Sequence, residues 1–509
     1  MMDRRYFLTA AGMGAAGAMA ANLLAADAVT PVEIDAGRAT GAFPHYWEKC
    51  VGSDRTMVAF REPWLRDLIR VRRDAGVEAV RCHGLFNDEM GVCAKDASGY
   101  RYNFLYVDQI YDRMLELGVR PFVELSFMPA PMASGNSKIF FYRGNVTPPA
   151  RMEDWGELIR LLADHLVKRY GMAEVGQWKF EVWNEPNINF WAGTQEEYFE
   201  MYRHSAMAIK SVDRRLQVGG PSTAALKWVP EFLKYCAAKD VPVDFVSTHV
   251  YPTDAQTPLF GKERAHKFED VMPVGIRAVK QQVESSHKPN LPLWITEWAA
   301  QNPAFIADTT KRLAGVLEAM SYWTFSSVFE ENGVPGRIFG QTFGMLDQWN
   351  IPRPSLHTFA LMHRLGDQQL RSNDAPVMAT RRADGSLAVL VWNLIPRDPA
   401  INPERVNYLS NEGACLMLDG PRRTFQFKFQ GLNGRKSARV TYVDDKRGCA
   451  VPAWKAMGSP QYPTKEQIQQ LRAAGELQPA GVLPIAQGNP AELTLELPPE
   501  GIALLEFDR

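Results

Sequence analysis

Between residues 49 and 329, short β-branched or aromatic runs alternate with longer stretches whose apolar residues recur every three or four positions. The short runs predict strands near 49–52, 77–83, 119–126, 178–185, 216–222, 245–252, 293–298 and 322–329. The longer stretches predict helices, among them 62–75, 106–117, 152–170, 195–212, 266–286 and 309–320. Strands and helices in this alternation predict an α/β fold, a (β/α)8 TIM barrel over residues 43–365. Past Leu365-Gly366 the period shortens to two. Runs at 377–380, 386–392, 424–429, 438–443, 491–497 and 502–507, punctuated by Gly, Asn and Asp, predict a C-terminal antiparallel β-sandwich domain over 366–509. Residues 29–42 are expected to lend that sandwich a strand, and 464–474 to form an exposed helix within it. No low-complexity linker divides the two parts, so a rigidly packed pair is expected.

Residues 1–28 have a different character. Arg4-Arg5 precede a weakly apolar Ala/Gly/Met stretch, and Ala26-Asp27-Ala28 has the small-x-small form of a cleavage site. This pattern reads as a twin-arginine-type signal peptide and implies a periplasmic or secreted protein, free of the membrane once the signal is cleaved. The stretch is too rich in Ala and Gly to make a good permanent span.

Composition narrows the function. The 57 basic and 58 acidic side chains leave a net charge of −1, which offers no electrostatic footprint for nucleic acid or an anionic membrane. Nine His and six Cys form neither C-x-x-C nor H-E-x-x-H, so no catalytic metal and no cofactor are expected. Six Cys in 509 residues are too few for a disulfide scaffold, and Cys50, Cys82, Cys93, Cys236, Cys415 and Cys449 are expected as free thiols. The 13 Trp are expected mostly in the core, with a few free to stack on a ligand.

Two glutamates carry the chemical signal. Glu185 closes the fourth predicted strand in KFEVWNEPN, and Glu297 closes the seventh in LPLWITEW. Barrels of this kind keep their chemistry at the C-terminal ends of strands. A glutamate buried among aromatic residues is costly unless it is paired or functional. Two facing carboxylates, one protonated and one ionised, are the equipment of glycoside hydrolysis. Asn184 sits beside the first of them, where an amide can bond a sugar 2-hydroxyl.

FPHYWEKCVGSDR, AVRCHGLFNDEM, RPFVELSFMP, FEVWNEPNINFW, LQVGGPSTA, DFVSTHVYP, ITEW and YWTFSSVFEENG follow one another in order. Together they resemble the blocks of glycoside hydrolase family 39, a clan A family that includes β-xylosidases and α-L-iduronidase. The resemblance implies a retaining double displacement with carboxyl groups about 5–5.5 Å apart. Glu185 matches the acid/base, with a raised pKa, and Glu297 the nucleophile, which stays ionised. His83 and Asn184 match contacts to the sugar, and His249 and Tyr251 match neighbours of the nucleophile. Trp323 matches the aromatic floor, Phe127 an apolar wall, and Glu330 and Glu331 carboxylates that reach sugar hydroxyls. Arg81, which alternates with His83 along one strand, is expected to support the nucleophile's charge. His45, His165, His204, His266, His287, His357 and His363 are expected to be structural or on the surface.

Three departures from the family's β-xylosidases are expected at the pocket rim. Ala299-Ala300-Gln301 replaces an Asn-Thr-Ser type of stretch, the loop at 339–344 lacks a histidine, and Ser327 stands where Asp is usual. The leading expectation is therefore an exo-acting β-xylosidase releasing xylose from short xylo-oligosaccharides. An α-L-arabinopyranosidase or another family 39 glycosidase is the alternative. A uronate substrate would need a cationic clamp, and only Arg81 matches a motif. An intact glutamate pair argues against a catalytically inactive sugar-binding protein. Self-association is compatible with the sequence, which marks no interface.

Overall fold

A computed structural model describes residues 28–340, 343–396, 420–432 and 434–508. Residues 1–27 of the signal expected at 1–28, together with Gln341, Thr342 and Cys415, lie outside the described residues, while Ala28 begins the first strand. The described part opens with strand β1 (Ala28–Ala42) and then enters a closed barrel of eight parallel strands. These are β2 (Val51–Arg55), β3 (Ala79–His83), β4 (Arg120–Leu125), β5 (Lys179–Val182), β6 (Gln217–Thr223), β7 (Phe245–His249), β8 (Leu293–Trp298) and β9 (Ala319–Tyr322). Each pairs with the next in chain order, and β9 closes the ring against β2 through Tyr322 and Val51.

The intervening helices form where stripes of apolar residues meet good end signals. Helix Glu62–Ala75 starts on a proline, buries Trp64, Leu68, Val71 and Ala75 on one face, and stops at Gly76 with φ 70°. Helix Gln195–Val212 begins with a capping box between Thr194 and Glu197.

The last βα unit departs from expectation. The strand expected at 322–329 is Ala319–Tyr322, and the helix expected at 309–320 is Pro303–Leu313. Asn302 caps that helix by accepting from the Phe305 amide, and Gly315 (φ 76°) lies just beyond its end. The aromatic run after Tyr322 looked like a strand in its composition. Its regular ladder ends at Tyr322, beyond which the Trp323 amide still donates to the Trp298 carbonyl and the Phe325 amide to the Gly52 carbonyl, and Ser326 bridges to Leu346.

Among the described residues the sheet domain then contributes β10 (Gln368–Ser372), β11 (Val377–Arg381), β12 (Leu387–Trp392), β13 (Arg423–Gln430), β14 (Ser437–Val443), β15 (Gly481–Pro484), β16 (Ala491–Leu497) and β17 (Ile502–Phe507). With β1 they form one sheet in the order β15-β14-β17-β12-β11-β10-β1-β13-β16. Only the β1–β13 ladder is parallel. Residues from both ends of this order share one core: the rings of Phe429 (β13) and Phe507 (β17) have centroids 5.0 Å apart. The sheet therefore folds onto itself as two packed layers. Strands β10 and β15 escape the sequence pattern because each buries at most one side chain.

Helix Lys465–Gly475, expected to be exposed, is docked instead. Its Ile468 and Leu471 pack with Ile338, Phe339, Ile351 and Trp454. The Gly475 carbonyl accepts from His357 Nε2 at 2.6 Å, which ties the helix to the barrel. Two apolar residues three apart were enough to make a packing stripe.

Cys50, Cys82, Cys93 and Cys236 are free thiols, but Cys449 is disulfide-bonded, which overturns the expectation of thiols throughout. Spacing in the sequence carries no pairing information. Among the described residues, no helix is long and apolar enough to cross a membrane.

Candidate active site

The strand ends bring the two predicted glutamates together at the C-terminal mouth of the barrel. Glu185 follows β5, where the chain leaves the ladder with positive φ at Trp183 (73°) and Glu185 (46°), and its amide donates to the Ser222 carbonyl. Glu297 sits on β8 itself. A carboxylate oxygen of each and a ring nitrogen of His249 all lie within 4.8 Å of one another. His249 Nδ1 is 3.2 Å from Glu185 and 3.6 Å from Glu297, so the imidazole sits between them. The Tyr251 hydroxyl donates to Glu297 Oε1.

Arg81 organises the floor of the site. It is fully buried, and its guanidinium reaches Glu181 (2.6 Å), Glu124 (2.8 Å) and Glu297 (3.4 Å), and donates to Asn184 Oδ1 at 2.9 Å. Arg81 and His83 are two residues apart on β3, so both side chains project to the same face. Thr296 donates to Glu181 at 2.8 Å and is 3.1 Å from His249 Nε2. The pair is thus held from beneath by one chain of charged and polar contacts.

The charges follow from this geometry. Burial raises the Glu297 carboxyl above its ordinary value. His249 opposes the rise, the neighbouring Glu185 carboxylate adds to it, and His83 and Arg81 oppose it. This direction differs from the one expected of a carboxylate that simply stays ionised. Two carboxylates this close titrate as a pair rather than singly. The Glu124 carboxyl, although buried, is held below its ordinary value by Arg81 and then His83.

His83 is the positive end of a second ion pair. Burial alone would lower its pKa, but the Glu124 carboxylate 2.8 Å away outweighs this and, with Glu331, raises it to about 10. His83 is therefore an imidazolium at neutral pH. Because its folded pKa lies above the ordinary 6.5, its contribution to stability is complete below that pH and fades as pH rises towards 10. The wild type should thus lose thermal stability relative to His83→Asn between about pH 7 and 10. Parallel melting curves over that range would reject the ion pair.

The remaining expected residues divide into two groups. Trp323 lies over His83 with ring centroids 4.5 Å apart, and the Arg81 guanidinium is 6.0 Å from its ring. A Cβ at Gly52 would come within 2.2 Å of Trp323, so β2 must carry glycine there to seat the indole. Glu331 reaches His83 Nε2 at 3.5 Å and belongs to the site. Glu330 does not share that role. Arg55 and Arg61 both bind its carboxylate, which braces the loop. Phe127 is fully buried behind His83 and packs on Trp183, so it backs the site instead of walling it.

The family model for glycosyl hydrolases family 39 matches residues 30–487. This chain belongs to glycosyl hydrolase family 39. A β-xylosidase of Caldicellulosiruptor saccharolyticus is 36% identical over 476 residues, covering 88% of this chain and 92% of its own. One from Geobacillus stearothermophilus is 36% identical over 456 residues, covering 85% and 86%. The crystal structure of a monomeric β-xylosidase from Caulobacter crescentus superposes with a TM-score of 0.83 at 31% identity, covering 94% of this chain and 99% of that one.

Within this family 39 hydrolase, sequence reasoning missed Glu124, Glu181, Thr296, Asp54 and Arg55. The first two had a readable signal: a single carboxylate inside the apolar runs FVEL and KFEV. Asp54 and Arg55 fix the Glu330-Glu331 turn, because Asp54 accepts from the Glu330 amide at 2.7 Å. The expected rim departures are also largely internal. Ala299 and Ala300 are fully buried, Tyr322 donates to the Ala300 carbonyl, and Ser327 donates to the Phe343 carbonyl.

Proposed function

We propose that this glycoside hydrolase is a retaining, exo-acting β-xylosidase that releases xylose from short xylo-oligosaccharides. The observation that carries the proposal is that a carboxylate oxygen of Glu185 and one of Glu297 lie within 4.8 Å of each other, with His249 between the two side chains. Retaining enzymes hold their carboxyl groups about 5–5.5 Å apart, whereas inverting ones leave about 6.5–9.5 Å for a water. The two relatives at 36% identity are β-xylosidases, which supports the choice of sugar.

In this reading Glu297 attacks the anomeric carbon while Glu185 protonates the departing oxygen. Glu185 then takes a proton from a water whose oxygen attacks the anomeric carbon, which breaks the bond to Glu297 and releases the sugar from the glycosyl-enzyme. Arg81 and Tyr251 address Glu297 and favour its ionised form. A uronate fits poorly, since the buried Arg81 is engaged by three carboxylates and Arg55 by Glu330.

A panel of aryl glycosides tests the substrate. Hydrolysis of the β-D-xylopyranoside should exceed that of the α-L-arabinopyranoside and the β-D-glucopyranoside in kcat/KM. The exocyclic CH₂OH of the glucoside adds bulk to a site whose members are all buried, and steric discrimination of this kind reaches roughly 10–200-fold. A preference for the α-L-arabinopyranoside would overturn the choice of sugar and leave the two-glutamate mechanism standing.

A further inference from the structure

A second cluster of metal-ligating side chains lies away from the barrel mouth. His45 and Glu48 belong to the segment that leads from β1 into the barrel, and His363 ends the last barrel helix, Pro354–His363. His45 Nδ1 is 2.6 Å and His363 Nδ1 3.0 Å from the same oxygen, Glu48 Oε1. One ligand atom from each of the three lies within 4.8 Å of the others. We propose that His45, Glu48 and His363 bind one divalent metal ion of borderline character, Zn(II) in the first instance. The ion would staple the segment entering the barrel to the segment leaving it.

Three features support a ligand set over an incidental cluster. First, His45 Nε2 lies 3.3 Å from the Gly366 carbonyl, which can only accept. That contact places the ring proton on Nε2 and turns the Nδ1 lone pair towards the carboxylate. Without a metal, a proton bridges this nitrogen and Glu48 Oε1 at hydrogen-bond distance, 2.6 Å, and a bound ion would take that proton's place. Metal-ligating histidines characteristically donate their other ring N–H to a carbonyl in this way.

Second, the position behind the cluster is glycine. A Cβ at Gly76, which has φ +70°, would come within 2.3 Å of His363 Nδ1 and 2.6 Å of Glu48 Oε2. The space around the donors is kept clear by the residue that also ends helix Glu62–Ala75.

Third, two imidazoles and a carboxylate make a donor set suited to zinc, with a fourth position left for water. A tetrahedral ion with bonds of ~2.0–2.1 Å sets its donors about 3.3 Å apart. The two separations from Glu48 Oε1, 2.6 and 3.0 Å, would open by roughly 0.3–0.7 Å to meet that spacing, and the two ring nitrogens already lie within 4.8 Å of each other. The His363 side chain is 41% exposed, so it has room to move and the ion has a path in. His45 is oriented by stacking on Trp47, with centroids 4.7 Å apart.

Equilibrium dialysis of the chelator-treated full chain against Zn(II) near neutral pH tests the site. The wild type should take up one equivalent that His45→Gln and His363→Gln each lose. Their affinity should fall by more than about 100-fold, beyond the 10–100-fold typical of outer partners. Zn(II) should also raise the melting temperature of the wild type and leave both variants unmoved. Glycosidase activity should be unchanged in both.

The catalytic cluster Glu185, His249 and Glu297 has comparable spacing, so Glu297→Gln is the control and should keep the equivalent. Loss of zinc in Glu297→Gln, or equal uptake by all the chains, would overturn the proposal. If a glutamine variant folds poorly, the visible d–d spectrum of Co(II) added to the wild type decides instead. A tetrahedral spectrum supports the site, and that of the aqueous ion sinks it.

Discussion

Glu297→Ala is expected to lower kcat on an aryl β-D-xylopyranoside by on the order of 10⁴–10⁶-fold, as removal of a covalent nucleophile does elsewhere. KM should not compensate, because the lost interaction is made with the anomeric carbon only in the transition state. Glu185→Ala should behave differently. The acid contributes a smaller factor, roughly 10²–10⁴, and its loss should be mild for leaving groups that need no protonation. Azide should then restore turnover in Glu185→Ala with formation of a β-glycosyl azide, since the small anion enters where the carboxylate stood. No β-azide should form in Glu297→Ala, which cannot make the glycosyl-enzyme. Full activity in Glu297→Ala would sink the mechanism, and an α-azide from Glu185→Ala would reverse the assignment of roles.

Arg81→Met is expected to be the most damaging change outside the reacting pair. Its guanidinium is the shared partner of Glu124, Glu181 and Glu297, all of them buried. Removing one side of a buried ion pair leaves an uncompensated charge and typically costs about 3–5 kcal/mol. Arg81→Lys should recover only part of this, because an ammonium cannot reproduce a planar fork that serves several acceptors at once. The pH dependence gives the sign. Glu124 has its carboxyl held below the ordinary value by Arg81, so its stabilising contribution is present above that value and lost as pH falls. The gap between wild type and Arg81→Met in urea unfolding should therefore narrow below about pH 4.5. A gap under about 1 kcal/mol at neutral pH would show that the network is incidental.

Much of this architecture was legible in the chain itself. Residue types that alternate strand and helix repeat locally, so most of the barrel could be placed within a few residues. Helices Glu62–Ala75, Met152–Tyr170 and Gln195–Val212 end where their apolar stripes and end signals stop. Glu185 and Glu297 stood out for a local reason too, since each is a costly charge at the end of an apolar run.

Other features had no local signature. The last barrel strand was displaced because Trp323–Phe329 has the composition of a strand, but the regular ladder ends at Tyr322 and the rings of the run pack on His83, Trp64 and Phe343. Glu330 and Glu331 are neighbours of one type, and only the positions of Arg55, Arg61 and His83 tell them apart.

The sequence by itself determined the barrel, the sheet domain and the two glutamates at the strand ends, because periodicity and the cost of burying a charge act over a few residues. The tertiary structure alone decided which charges meet. Arg81 lies 100 residues from Glu181 and 216 from Glu297, and His363 lies 315 from Glu48. Such pairs exist only once the barrel has closed, since ring closure sets their distances and excludes the water that would otherwise screen them.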